Sequence, residues 1–124
     1  KNPVFYVQYA HARCASILRK AADEGLAVDG VGSAHVPEAA ELALIRRLAE
    51  WPEVVASAAE LRAPHRIISW THELAADFHA FHHDLFVLHE DADTRAFRLS
   101  AVRATREALE RALGLIGVSA PDRM

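Results

Sequence analysis

Ile67-Ile68-Ser69-Trp70-Thr71-His72-Glu73-Leu74-Ala75-Ala76-Asp77-Phe78-His79-Ala80-Phe81-His82-His83-Asp84-Leu85 is the stretch on which the fold turns. Ile67, Thr71, Leu74, Phe78, Phe81 and Leu85 recur at steps of three and four, which places them on one face of an α-helix. A strand would alternate with a period of two, and no such alternation persists anywhere in the chain. Pro64 marks the start of this helix, because its fixed φ and missing N–H suit a first turn. After it, Glu90-Asp91-Ala92-Asp93 reads as a turn, with Asp93 as the N-cap of the next helix.

Downstream, Leu99, Val102, Leu109, Leu113 and Ile116 face inward from that last helix, and Gly117 is its expected C-cap. Upstream, Pro52 ends one helix and begins a short one that carries Val54, Val55, Ala58 and Leu61. The helix before it starts near Pro37 and turns Leu42, Ile45 and Leu48 inward. The first helix starts at Pro3 with Asn2 as cap, and its stripe is Val7, Ala10, Cys14, Ile17, Leu18 and Ala21. It stops before Asp23-Glu24-Gly25, and residues 23–36, with three glycines, form the one long loop, between the first two helices. Alanine at 25 of 124 positions biases the whole chain toward helix. The expected fold is therefore all-α, a bundle of five helices.

A length of 124 residues suits one compact domain with one core. The 52% hydrophobic and 25% charged residues make a foldable composition and exclude a disordered chain. A net charge of −3 excludes a strongly basic nucleic-acid clamp, although protonation of all eight histidines would carry it to +5. One cysteine, Cys14, excludes an internal disulfide framework and a cysteine-based zinc ribbon, and a lone thiol suits a reducing, cytoplasmic setting. No run reaches the roughly 18 apolar residues of a membrane span. The opening Lys1-Asn2-Pro3-Val4-Phe5-Tyr6 has no signal-peptide layout and no initiator Met, so a fragment of a longer chain is expected.

His72, His79 and His83 lie at i, i+7 and i+11, one helical face that a metal could use. The metalloprotease spacing fails, since position 76 is Ala, and the alternative is a row of imidazoles in water. Asp77, His79 or Asp84 could move protons, but no nucleophile stands on a Gly-flanked turn. Cys14 lies on an apolar stripe, as a buried inert thiol does, and Gly30-Val31-Gly32 lacks the rest of a phosphate-binding fingerprint. Arg95, Arg98, Arg103, Arg106 and Arg111 form either a solvated face with local ion pairs or a phosphate-facing edge. Tyr6, Gln8, Tyr9, His11 and Arg13 combine rings, an amide and a guanidinium, the groups that read unpaired RNA bases; packing beside the core is the competing role for the tyrosines.

Three segments carry a family resemblance: residues 2–17, residues 72–88, and the ending Leu115-Ile116-Gly117-Val118-Ser119-Ala120-Pro121-Asp122-Arg123-Met124. Together they resemble, in order and over essentially residues 1–124, the DALR anticodon-binding domain that closes bacterial arginyl-tRNA synthetases. The resemblance implies a helical bundle that grips the anticodon stem-loop of arginine tRNA. It implies a catalytic domain upstream, where the parent enzyme uses ATP with magnesium to ligate arginine to its tRNA. This stretch itself would hold no catalytic residue, no metal and no cofactor. Carried over residue by residue, the resemblance assigns tRNA binding to Tyr9, Arg13, His82 and Met124, with Gln8 and His79 completing the set. His82 stands where the family usually has Tyr; an imidazole still stacks and donates, but its face is smaller and it titrates. The letters that name the family are replaced here by Ala96-Phe97-Arg98-Leu99-Ser100. The alternatives are the related module of the glycyl-tRNA synthetase β subunit, a histidine-rich metal-binding bundle, and a helical interaction module without a ligand.

Overall fold

A computed structural model describes residues 3–26 and 34–124. The order is α1 (Pro3–Asp23), α2 (Ala39–Ala49), α3 (Trp51–Glu60), α4 (His65–Asp84) and α5 (Ala92–Leu115). Only Glu50, itself in helical geometry, separates α2 from α3, so the five segments form four rods. The break follows from Pro52, which has no N–H to continue the ladder. Trp70 of α4 donates its indole N–H to the Arg47 carbonyl at 3.1 Å, close to that break, and packs against Trp51 at 4.9 Å between ring centroids.

The stripe of α4 is the centre of the core. Leu74, Phe78 and Phe81 are fully buried, as are Leu99, Val102, Leu109 and Leu113 of α5 and Cys14 of α1. Each large side chain of this set contributes about 1.5–3 kcal/mol by leaving water. Burial pushes the Cys14 thiol far above its ordinary range, so it stays protonated and unreactive.

Three helix ends repeat one device, the first being α1, where Gly25 sits at φ +70° and Leu26 N–H reaches back to the Ala21 carbonyl at 2.8 Å. Gly117 sits at φ +77° while Val118 N–H reaches back to the Leu113 carbonyl, at 2.9 Å, and Gly117 N–H to that of Gly114. Arg62 does the same after α3 at φ +51°, without the freedom of a glycine.

The structure corrects the expected reading at three places. The inward face of α2 is turned: Leu42 and Ile45 are exposed, while Glu41 and Leu44 are fully buried. Leu61, expected inward on α3, is exposed. The cap of α5 is Asp91, whose carboxylate accepts the Thr94 N–H at 2.9 Å; Asp93 falls in the first turn instead. The Asn2 cap and Gly30-Val31-Gly32 lie outside the described residues.

Glu41 is buried because Arg98 comes to meet it. Arg98 donates from Nε to Glu41 at 3.1 Å, from Nη2 to Glu38 at 2.9 Å and from Nη1 to the Phe86 carbonyl at 2.8 Å. His35 Nε2 and the Glu38 N–H also donate to the Glu41 carboxylate, at 2.8 and 2.7 Å. Burial alone would raise the Glu41 carboxyl, but the Glu38 N–H, His35 and Arg98 outweigh it and hold it below the ordinary carboxylate range. Neither expected role of the α5 arginines, solvated face or phosphate edge, describes Arg98.

Candidate nucleic-acid interface

Helix α1 has two working faces besides its core stripe. One carries Tyr6, Tyr9 and Arg13 against α4. Tyr6 lies on His72 at 5.0 Å and on His79 at 4.9 Å, Tyr9 lies on His79 at 5.8 Å, and the Arg13 guanidinium reaches His82 at 3.0 Å. The partners climb together, so α1 and α4 run parallel along this seam. The imidazoles expected as a possible metal face are thus partly docked on tyrosines: His72 and His79 take part, and His83 is exposed, with Nδ1 3.0 Å from the Asp84 carboxylate. No group of three His, Cys, Asp or Glu side chains converges among the described residues.

The other face holds the chain end. Gln8 Nε2 donates to the Ser119 carbonyl at 2.9 Å, His11 Nδ1 to that of Pro121 at 2.8 Å, and Arg19 to that of Asp122 at 3.1 Å. Arg106 of α5 closes the clasp with a 2.9 Å bond to the Asp122 carboxylate. The tail therefore lies along α1 and delivers Arg123 and Met124 to the mouth of the seam.

There the two faces enclose a hollow of about 440 Å³, lined by Tyr9, Arg13, Ser16, Arg19, His82 and Met124 among others. That volume lies within the roughly 300–1,000 Å³ of ligand clefts. Arg13 is its organising group. Its guanidinium carbon stands 4.9 Å from the Tyr9 ring centroid, one Nη donates to the Tyr9 hydroxyl, and the other donates to His82 Nδ1. Because Nδ1 accepts, His82 is neutral and carries its proton on Nε2. Burial first, then Arg13 and His83, hold His82 below its ordinary 6.5; burial and Arg13 do the same to His79. No carboxylate lies within 4.0 Å of Arg13 among the described residues; Asp122 also lines the hollow, but its carboxylate is held by Arg106. Two of the five guanidinium N–H groups are used, which leaves three for an acceptor.

Tyr9, Arg13, His82 and Met124 thus share one wall-to-wall site. His79 sits beside it, half-buried under both tyrosines, with Nε2 unpartnered. Gln8 does not reach the hollow: it is buried, and its amide serves the tail. Ser16 and Arg19 are lining residues that the sequence reading passed over. Their spacing from Tyr9 and Arg13, in steps of three and four, was the available signal.

Comparison with known proteins gives the chain a family. The family model described as DALR anticodon binding domain matches residues 7–124. This chain belongs to the DALR anticodon binding domain family. The arginine–tRNA ligases of Moorella thermoacetica and Symbiobacterium thermophilum are each 48% identical to it over 99% of this chain, and it covers 22% and 23% of their lengths. The arginyl-tRNA synthetase of Thermus thermophilus superimposes with a TM-score of 0.86 at 35% identity, over 96% of this DALR chain and 21% of that one. The DALR domain described here therefore spans less than a quarter of the relatives it matches. No helix among its described residues is long and apolar enough to cross a membrane.

Proposed function

We propose that this domain binds the anticodon stem-loop of an arginine tRNA, as part of an arginine–tRNA ligase whose catalytic domain lies upstream in the same chain. The observation that carries the reading is the meeting of Tyr9, Arg13, His82 and Met124 around one hollow, with a guanidinium that has no carboxylate partner within 4.0 Å. An unpaired base entering it finds ring faces to stack on and three free Arg13 N–H groups to satisfy its edge or a neighbouring phosphate. The net charge of −3 suits this mode, in which stacking and edge contacts count for more than bulk attraction. Ligation belongs to the catalytic domain, where ATP and magnesium act in the cytoplasm; this domain contributes grip.

The test is titration of a fluorescent anticodon stem-loop of arginine tRNA at low salt, beside a stem-loop with another anticodon. Preferential binding that weakens about tenfold or more in Arg13→Ala is expected, the scale of a lost charge-assisted hydrogen bond. Equal affinity for both stem-loops, or a folded Arg13→Ala domain that binds as before, overturns the reading.

A further inference from the structure

We infer that Gln8, His11 and Arg106 are positioning residues for the RNA site: they hold the tail so that Arg123 and Met124 form one wall of the hollow. The inference rests on the anticodon reading above and adds residues that reading does not use.

Gln8 and His11 are buried polar groups on α1, the latter fully, and they lie on the face of α1 that meets the tail. Each spends its donor on a tail carbonyl more than a hundred residues away, Ser119 and Pro121. A buried donor left without an acceptor costs more than a hydrogen bond returns, so the tail is held wherever these two groups are buried. Arg106 adds a third hold from the opposite side, through the Asp122 side chain. Val118 and Ala120 lean on the core and Arg19 holds the Asp122 carbonyl at 3.1 Å, but Asp122, Arg123 and Met124 are themselves exposed, so the hydrogen bonds set the path of the last residues. Three side chains outside the hollow thereby help to set where two of its lining residues stand, together with Arg19 from within it.

The chain has one methionine, Met124, so methyl-labelled methionine reports the tail by a single internal NMR signal. In the unaltered chain that methyl is expected away from the position of a free chain, under the influence of the Tyr9 and His82 rings. Gln8→Leu is expected to move it toward the free position and to weaken binding of the arginine stem-loop about tenfold. Arg106→Met, at a partly exposed site, is expected to shift both readouts in the same direction and serves if Gln8→Leu does not fold. The decisive arm repeats both substitutions in a chain lacking residues 122–124. With the wall gone, neither substitution should change affinity further. An effect of either that persists in the shortened chain overturns the positioning role, because it then acts directly or through stability. A Met124 methyl already at the free position in the unaltered chain overturns it too. A chain that binds no stem-loop refutes the anticodon reading, and the methyl signal alone then decides the latch.

Discussion

Arg98→Met removes the guanidinium that joins α5 to the start of α2 while keeping most of the side chain's volume. Three hydrogen bonds go, two of them to carboxylates, from a group whose side chain is 5% exposed to a partner that is fully buried. Breaking a buried pair from one side costs about 3–5 kcal/mol, because the remaining charge is left uncompensated. The lower end applies here, since Glu41 keeps the Glu38 N–H and His35 as donors. About 3 kcal/mol is a large part of the roughly 5–15 kcal/mol that holds a domain together. At this length it lowers the melting midpoint by about 10–15 °C. Urea unfolding at pH 7, followed by far-UV circular dichroism, measures it. Adding Glu41→Gln removes the orphaned charge yet keeps an acceptor for the Glu38 N–H, so the double variant should regain more than half of the loss. The pH dependence has a fixed sign. The folded Glu41 carboxyl lies below its ordinary 4.5, so its contribution is complete above pH 4.5 and lost as pH falls through the lower folded value. Arg98→Met raises that folded value and moves acid unfolding to higher pH. A loss under about 1 kcal/mol, or a double variant no more stable than the single one, refutes the argument.

Three further outcomes are expected. His79 and His82 both titrate below their ordinary 6.5, so the stability they confer is full above pH 6.5 and fades as pH falls through their folded values; His82→Phe should flatten that part of a pH–stability profile measured by thermal melting. Arg62→Gly should raise stability by about 0.5–1 kcal/mol in urea unfolding, because glycine adopts φ +51° without the strain an arginine bears. Asp91→Ala should lower the melting midpoint more than Asp93→Ala, since only Asp91 accepts from the backbone and hydroxyl of Thr94.

The parts of the fold that were legible in sequence are those where hydropathy and burial coincide. Ile67, Leu74, Phe78 and Phe81 on α4, and Leu99, Val102, Leu109 and Leu113 on α5, are apolar in phase and buried. Gly117 was legible for a separate reason, its αL geometry after α5. The α2 face was misread because Glu41 is charged and Leu42 is not, so the periodic pattern slipped by one residue toward Leu42 and Ile45. The correcting signal lay on another helix. Arg98 falls in phase with Val102, Thr105 and Leu109, and a cation on one apolar stripe asks for an anion on another.

The same logic separates the candidate residues that line the hollow from Gln8. Tyr9, Arg13, His82 and Met124 gather around the hollow, and their chemistry is visible in the side chains themselves. Gln8 has the same chemistry and a different duty, since it lies one residue from Tyr9 and therefore about 100° around α1. That rotation carries its amide away from solvent and onto the Ser119 carbonyl. Hydropathy cannot make this distinction: a polar residue beside an apolar stripe is equally a surface contact and an interior anchor until its partner is known. The partners of Gln8 and His11 are backbone carbonyls of a tail with no period of its own, so no pattern in either segment announced the match. Apolar packing of Val118 and Ala120 brings the tail to the core, and hydrogen bonds to the buried donors of α1 fix its register. On α1, Tyr9 and Arg13, which look most like RNA ligands, are neighbours of Gln8 and His11, which hold the tail, and only the direction in which each points separates the two pairs.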